Sequence, residues 1–122
     1  MSDFRKLGVW QKAHQVMLDT HSLAGNIRSA PYLALKNQVV RAAMSIPANI
    51  VEGRAQRTDK EFSRFLGYSI GSASELEYHL IAGRDIGVLP ARNTQALITK
   101  VIEVRKMLLG LQKALEAEKN RS

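Results

Sequence analysis

Four long stretches of the sequence carry apolar residues at alternating spacings of three and four, and this periodicity restricts the chain to a helical fold. No stretch shows the strict alternation of a half-buried β-strand. The pattern predicts helices over residues 3–26, 32–53, 58–87 and 90–118, joined by short turns. Helices of this length with short connections favour an all-α, up-down-up-down antiparallel four-helix bundle, formed by a single domain of residues 1–122. The fourth stretch shows the pattern best, at Leu97, Val101, Val104, Leu108, Leu111 and Leu115.

Pro47, in the segment SIPANIVEG, is either a boundary between two helices or a kink within one. Both the apolar face and a polar stripe keep their phase from one side of this proline to the other, which a true break would usually scramble. The sequence therefore predicts one kinked helix, in which Pro47 supplies no N–H to the carbonyl of Ala43. The next helix has a distinct start, because Thr58 and Glu61 stand at the spacing of a capping box.

The polar stripe beside Pro47 has two interpretations, and periodicity alone leaves both open. One is a buried hydrogen-bonded network that fixes helix register, in which we expect Arg41 to pair with Glu75 of the third helix. The other is a ligand groove lined by Arg41, Asn49 and Glu52. The stripe covers roughly 80° of arc at about 100° per residue. Its members on the second helix are Gln38, Arg41, Ser45, Asn49 and Glu52.

Two helices carry more apolar residues than one buried stripe requires. Excess apolar surface is typical of a contact with a partner, so we expect a homo-oligomer, although a wide internal core is the alternative. The candidate interface residues are Val40, Met44 and Val51 on the second helix and Ile98, Ile102 and Leu109 on the fourth.

The chain is basic, with 18 Lys and Arg against 11 Asp and Glu and a formal net charge of +7. This balance favours polyanionic partners, nucleic acid first, which the basic side chains would hold through phosphates without reading sequence. No aromatic residue is interleaved with the basic clusters, so base stacking is not expected, and Tyr32, Tyr68 and Tyr78 are expected at helix edges or subunit contacts. The candidate clusters are Arg54, Arg57, Lys60 and Arg64 around the second turn, and Arg92, Lys106 and Lys113 on the fourth helix.

Catalytic and metal sites find little support in the sequence. There is no cysteine, His14 and His21 stand about 10 Å apart on one helix, and no Glu-x-x-His motif of a di-iron bundle occurs. Glu75 and Glu77 point to opposite sides of their helix. We therefore expect no catalytic residue, metal or cofactor. Because no signal-peptide pattern or membrane-spanning run is present, a cytoplasmic protein without membrane contact is expected.

Three segments, VWQKAH, QVVRAAMSIPANIVEG and EFSRFLGYSIGSASELEYHL, resemble a bacterial four-helix-bundle family that includes proteins encoded within intervening sequences of 23S rRNA genes. The resemblance covers roughly residues 4–115 and extends distantly to the accessory variability determinant of diversity-generating retroelements. It implies a ring of typically five subunits. The retroelement relative presents a basic surface to nucleic acid and docks a reverse transcriptase, whereas most intervening-sequence members have no assigned activity.

Residues that match the family pattern look like packing and register positions. The turn at residues 27–31 departs from the family's usual Phe-Pro pattern. The residues that match the family pattern are Arg41, Ser45, Pro47, Asn49, Glu52, Gly53, Phe65, Ser72, Glu75 and Leu76.

Two functions remain open. One is a non-enzymatic ring-forming scaffold whose basic surface binds RNA or DNA, with a protein partner such as a reverse transcriptase. The other is a purely structural or protein-binding homo-oligomer.

Overall fold

The computed structural model describes residues 3–121 and contains four α-helices: α1 (Gly8–Ala24), α2 (Leu33–Arg54), α3 (Asp59–Asp85) and α4 (Ala91–Arg121). Each helix packs against the next along the chain, and α1 also contacts α4, which closes the bundle. Short 3-10 helices precede α1 and α2, and the described residues contain no strand. The prediction of an all-α helical bundle is confirmed.

The hydrophobic core lies where the four apolar stripes meet along the bundle axis. A polar residue takes part as well, because the buried hydroxyl of Thr20 donates to the carbonyl of Val16 at 2.7 Å. Each fully buried aliphatic side chain stabilises the fold by about 1.5 to 3 kcal/mol relative to an exposed one. The largest fully buried aliphatic side chains include Val16, Val39, Ile46, Ile50, Leu66, Leu76, Leu80, Val101, Val104 and Leu108.

Pro47 lies inside α2 and is buried, so the prediction of one helix rather than a boundary is confirmed. Proline has no N–H to donate to the carbonyl four residues earlier, that of Ala43. A neighbouring helix supplies a polar contact beside this site, because the buried hydroxyl of Ser69 on α3 donates to the carbonyl of Ile46 at 2.8 Å. The carbonyl beside the interruption in the α2 ladder is thus hydrogen-bonded to α3.

Some helices begin or end at other residues than predicted, because local contacts of the backbone decide where each helix stops. The first helix starts at Gly8 instead of residue 3, because Asp3 caps a separate 3-10 turn by accepting from the N–H of Arg5 at 3.0 Å. At the other boundary, α3 ends at Asp85, and Gly87 adopts a left-handed φ of 82°. Within the described residues, no helix is both long and apolar enough to cross a membrane.

Candidate nucleic-acid interface

The basic turn, defined here as residues 53–64, joins α2 to α3 through a short and well-capped connection. At its start, the N–H of Ala55 donates to the carbonyl of Val51 at 3.2 Å. At its end, the hydroxyl of Thr58 accepts from the N–H of Glu61 at 3.1 Å, which is half of the predicted capping box. The described contacts of the Glu61 carboxylate are to Arg64 instead. Both arms of the turn are therefore fixed by local hydrogen bonds.

Gly53 allows the end of α2 to approach the aromatic residues at the start of α3. A methyl group at Gly53 would come within 2.8 Å of the Phe65 Cβ and 2.9 Å of the Phe62 Cδ1. Contacts this short force neighbouring atoms to shift, so only glycine permits this approach. The glycine brings the last turn of α2 against an aromatic surface.

Three of the four predicted basic residues of this turn are available to an anion. The guanidinium of Arg54 is half-buried and lies 5.7 Å from the centre of the Phe62 ring. Arg57 and Lys60 are exposed, and within residues 3–118, whose side chains the structure describes, neither forms an ion pair. Exposed cations of this kind can contact phosphates without giving up an existing carboxylate partner.

Arg64, the fourth basic residue, is already held by its own helix. Its Nη2 and Nε donate to Glu61 Oε2 at 2.7 and 3.2 Å, and its Nη1 donates to the Tyr68 hydroxyl at 2.8 Å. The pKa of Arg64 is raised, first by the hydrogen bond to Glu61 and then by the one to Tyr68. Its charge is partly neutralised, so it positions its neighbours more than it attracts a polyanion.

The expectation that no aromatic residue is interleaved with the basic cluster is wrong, because Arg54 lies against Phe62 and Arg64 lies against aromatic rings as well. Tyr68 is 49% exposed and joins the cluster through Arg64, whose guanidinium lies 5.5 Å from the Tyr68 ring centre and 4.9 Å from that of Phe65. Phe65 and Tyr68 meet edge to face at 5.6 Å. The sequence contained the signal, because Arg64 and Tyr68 stand four residues apart on one helical face.

The second predicted cluster does not form one site. Arg92, Lys106 and Lys113 are all exposed on α4. However, the first and last stand 21 residues apart, which at 1.5 Å per residue is about 31 Å along the helix. Nearby charges on α4 are used in ion pairs, Lys100 with Asp19 at 3.0 Å and Arg105 with Glu77 at 3.1 Å. These cations are therefore spread along one helix.

The polar stripe of α2 divides into two parts. Ser45 and Asn49 are half-buried and join α3: Asn49 Nδ2 donates to the Ser45 hydroxyl at 2.9 Å, and the Ser72 hydroxyl donates to the same oxygen at 2.8 Å. This part is a hydrogen-bonded register contact. The other part consists of Gln38, which is half-buried, and of Arg41, Glu52 and Glu75, which are exposed.

The predicted Arg41–Glu75 pair is wrong. Arg41 donates to the side-chain oxygen of Gln38, three residues earlier, and Glu75 lies 3.5 Å from His79, four residues later. Partners one turn away on the same helix are closer than a partner on the neighbouring helix, and both side chains point outward. This part of the stripe is a solvated face.

The candidate interface residues also fall into two groups, one buried in the core and one at least partly exposed. Ile98 is only 3% exposed and belongs to the core of the protomer, so its prediction as an interface residue is wrong. The physical reason is that α4 packs against both α1 and α3, which buries a wide arc of its surface. Val40, Val51, Ile102 and Leu109 are half-buried, and Met44 is 55% exposed.

Met44 and Val40 line a groove between α1 and α2 with a volume of about 560 Å³. The groove combines these apolar side chains with His21, Lys36 and Arg41 and, among the residues that the structure describes, has no acidic residue in its lining. Elsewhere, His14 stacks on Trp10 at 4.9 Å, and no group of three or more metal-ligating side chains occurs in the described part of the chain.

Comparison with known proteins identifies the family. The model of the 23S rRNA-intervening sequence proteins matches residues 5–110. A solved structure of a protein of unknown function from the S23 ribosomal protein family of Bacteroides thetaiotaomicron superposes with a TM-score of 0.79, covering 86% of this chain and 98% of that one at 20% identity. That identity supports the fold alone. No curated protein matches the chain. Because the family model spans most of the sequence, the chain belongs to the 23S rRNA-intervening sequence protein family.

Proposed function

We propose that the chain is a non-enzymatic subunit of a homo-oligomeric scaffold that binds RNA or DNA through the basic turn. The observation that carries this proposal is the pair of exposed cations, Arg57 and Lys60, beside half-buried Arg54 on a rigid, capped connection. Because the backbone that carries these cations is held by local hydrogen bonds, less conformational entropy is lost on binding phosphates than for cations on a mobile tail. The family description refers to sequences that intervene in 23S rRNA, so RNA is the first polyanion to test.

Assembly of several copies strengthens this binding. Three phosphate contacts from one turn give a weak interaction, but a closed ring repeats the turn in every subunit and raises the avidity for a long polyanion. The exposed Met44 and half-buried Val40 support a contact between copies, because apolar surface of this kind is usually covered by a partner. The resemblance to ring-forming relatives suggests five subunits.

The proposal is tested by binding measurements at several salt concentrations. In the turn variant, Arg54→Gln, Arg57→Gln and Lys60→Gln are combined. Each lost phosphate contact lowers the slope of log K against log salt by about 0.7 to 0.9, so we expect the slope to shrink by about 2 to 3. The matched control combines Arg92→Gln, Lys106→Gln and Lys113→Gln, which removes the same charge from α4 and should change the slope less. Equal losses in both variants would contradict a site at the turn.

The alternative is a purely structural or protein-binding homo-oligomer, in which a reverse transcriptase is one candidate partner by resemblance. The apolar groove at Met44 favours this alternative, because it suits protein contacts better than phosphates. Light scattering with absorbance at 260 and 280 nm distinguishes the two. An oligomer that carries excess 260 nm absorbance before nuclease treatment supports nucleic-acid binding, whereas a clean oligomer that binds no added RNA or DNA supports the alternative.

A further inference from the structure

Tyr68 is an exposed aromatic side chain whose ring is held in place by the charged residues of the basic turn. Its hydroxyl accepts from Arg64 at 2.8 Å, and Arg64 is itself held by Glu61 at 2.7 Å. The three residues stand at successive spacings of three and four on α3, so the chain of contacts runs along one face of the helix. The ring is therefore positioned before any ligand arrives.

The buried core of the protomer does not require this ring. Tyr68 is 49% exposed, and its aromatic contacts are the edge-to-face pair with Phe65 at 5.6 Å and the guanidinium of Arg64. Tyr78, further along the same helix, is 66% exposed but lies beside His79 and not beside a basic cluster. The two tyrosines thus differ in their charged surroundings.

Lys60, one of the free cations of the turn, lies on the same side of α3 as Tyr68. Lys60, Arg64 and Tyr68 follow one another at intervals of four residues, and each step is about 6 Å along the helix. Lys60 is exposed and forms no ion pair among the side chains that the structure describes. Lys60 and Tyr68 are therefore about 12 Å apart along the helix axis. A polynucleotide with a phosphate at Lys60 would bring a base further along the same strand close to the Tyr68 ring.

We propose that Tyr68 is a base-stacking platform that gives the basic turn a preference for single-stranded over double-stranded nucleic acid. This inference rests on the proposed nucleic-acid function and specifies the class of ligand. Bases in a duplex are stacked on one another and cannot reach a side chain on the flank of a helix. Unpaired bases can be turned outward to stack on an aromatic ring, and any base suits such a ring.

The test compares wild-type binding to single-stranded and duplex forms of one oligonucleotide, made as RNA and as DNA. Its length is about 20 nucleotides, which exceeds the site sizes of about 4 to 16 nucleotides that stacking modules occupy. Fluorescence anisotropy gives the dissociation constants. Tyr68→Leu should weaken single-strand binding about tenfold and leave duplex binding unchanged. Tyr68→Phe should retain most of the single-strand binding, because the ring remains and the Arg64 guanidinium still lies against its face. Tyr78→Leu is the matched control and should bind like the wild type.

The outcomes separate this inference from the proposed function. If the wild type binds both forms equally, or if Tyr68→Leu and Tyr78→Leu behave alike, the stacking platform is disproved while phosphate binding by the turn stands. If the wild type binds neither form, both proposals fail. Light scattering on each variant completes the test, since a Tyr68→Leu protein that dissociates into protomers would make Tyr68 a subunit contact and overturn the inference.

Discussion

Helix α2 contacts α3 and α1 on its two sides, and the two contacts are built differently. Against α3, Gly53 admits the aromatic rings of the next helix, and Ser69 and Ser72 reach across to hydrogen-bond with α2. Against α1, a groove of about 560 Å³ leaves Met44 more than half exposed. The side of α2 that faces α3, called here the closed side, carries small and hydrogen-bonding residues at this contact. The side that faces α1, called the open side, carries large apolar residues in the groove. Helix α2 therefore packs closely against α3 and leaves part of its surface open beside α1.

The largest effect is expected on the open side, from Met44→Glu. If a second copy covers the groove, a buried carboxylate there disrupts the contact, and the mass measured by light scattering should fall to that of one chain. Leu18→Glu is the control, because Leu18 is 45% exposed on α1 outside the groove and should leave the mass unchanged. An assembly that survives Met44→Glu would mean that the groove is not a subunit contact.

A smaller but still large effect is expected on the closed side, from Gly53→Ala. The new methyl group would lie 2.8 Å from the Phe65 Cβ, which is fixed to the backbone of α3. Overpacking of this kind costs about 1 to 3 kcal/mol of unfolding free energy, measurable by urea denaturation.

Gly71→Ala is the matched control for this change, because a methyl group at Gly71 would meet no atom within 4 Å. It should stabilise the protomer by up to about 1 kcal/mol through helix propensity. If the two alanine variants had the same stability, close packing at Gly53 would not be the reason for the glycine.

The smallest effect is expected from Ser69→Ala, which removes a hydrogen bond between α3 and α2. The buried Ser69 hydroxyl donates to the Ile46 carbonyl beside Pro47, and losing this bond should lower the unfolding free energy by about 1 kcal/mol. Ser72→Ala is the comparison, since Ser72 is half-buried and water can replace its bond to Ser45. A greater loss at Ser72 than at Ser69 would contradict burial as the deciding factor.

The sequence predicted the helices well because their periodicity reports directly on burial. The apolar positions at spacings of three and four lie in the core, and the unbroken phase across Pro47 correctly indicated one helix. Helix ends were predicted less accurately, since the separate turn capped by Asp3 depends on a single local hydrogen bond.

Side-chain partners were harder to predict, because they depend on distances that periodicity does not contain. Arg41 and Glu75 were expected to pair across two helices, but each found a closer partner within one turn. Ile98 was predicted as an interface residue because a helical wheel does not show how many neighbouring helices pack against a helix. Tyr68 was predicted at a helix edge or subunit contact and not beside the basic cluster, although its spacing from Arg64 would have identified their contact.

An even number of alternating helices places both ends of the described chain beside the basic turn. The helix preceding α1 contacts α2, and near the other end Gln112 of α4 donates to the carbonyl of Ser63 at 3.0 Å. An affinity tag or fused domain at either terminus would therefore start next to the candidate interface and could mask it or, if polyhistidine, add cations to it. The connection between α1 and α2, at the opposite end of the bundle, is the better position for a fluorophore or an immobilisation tag.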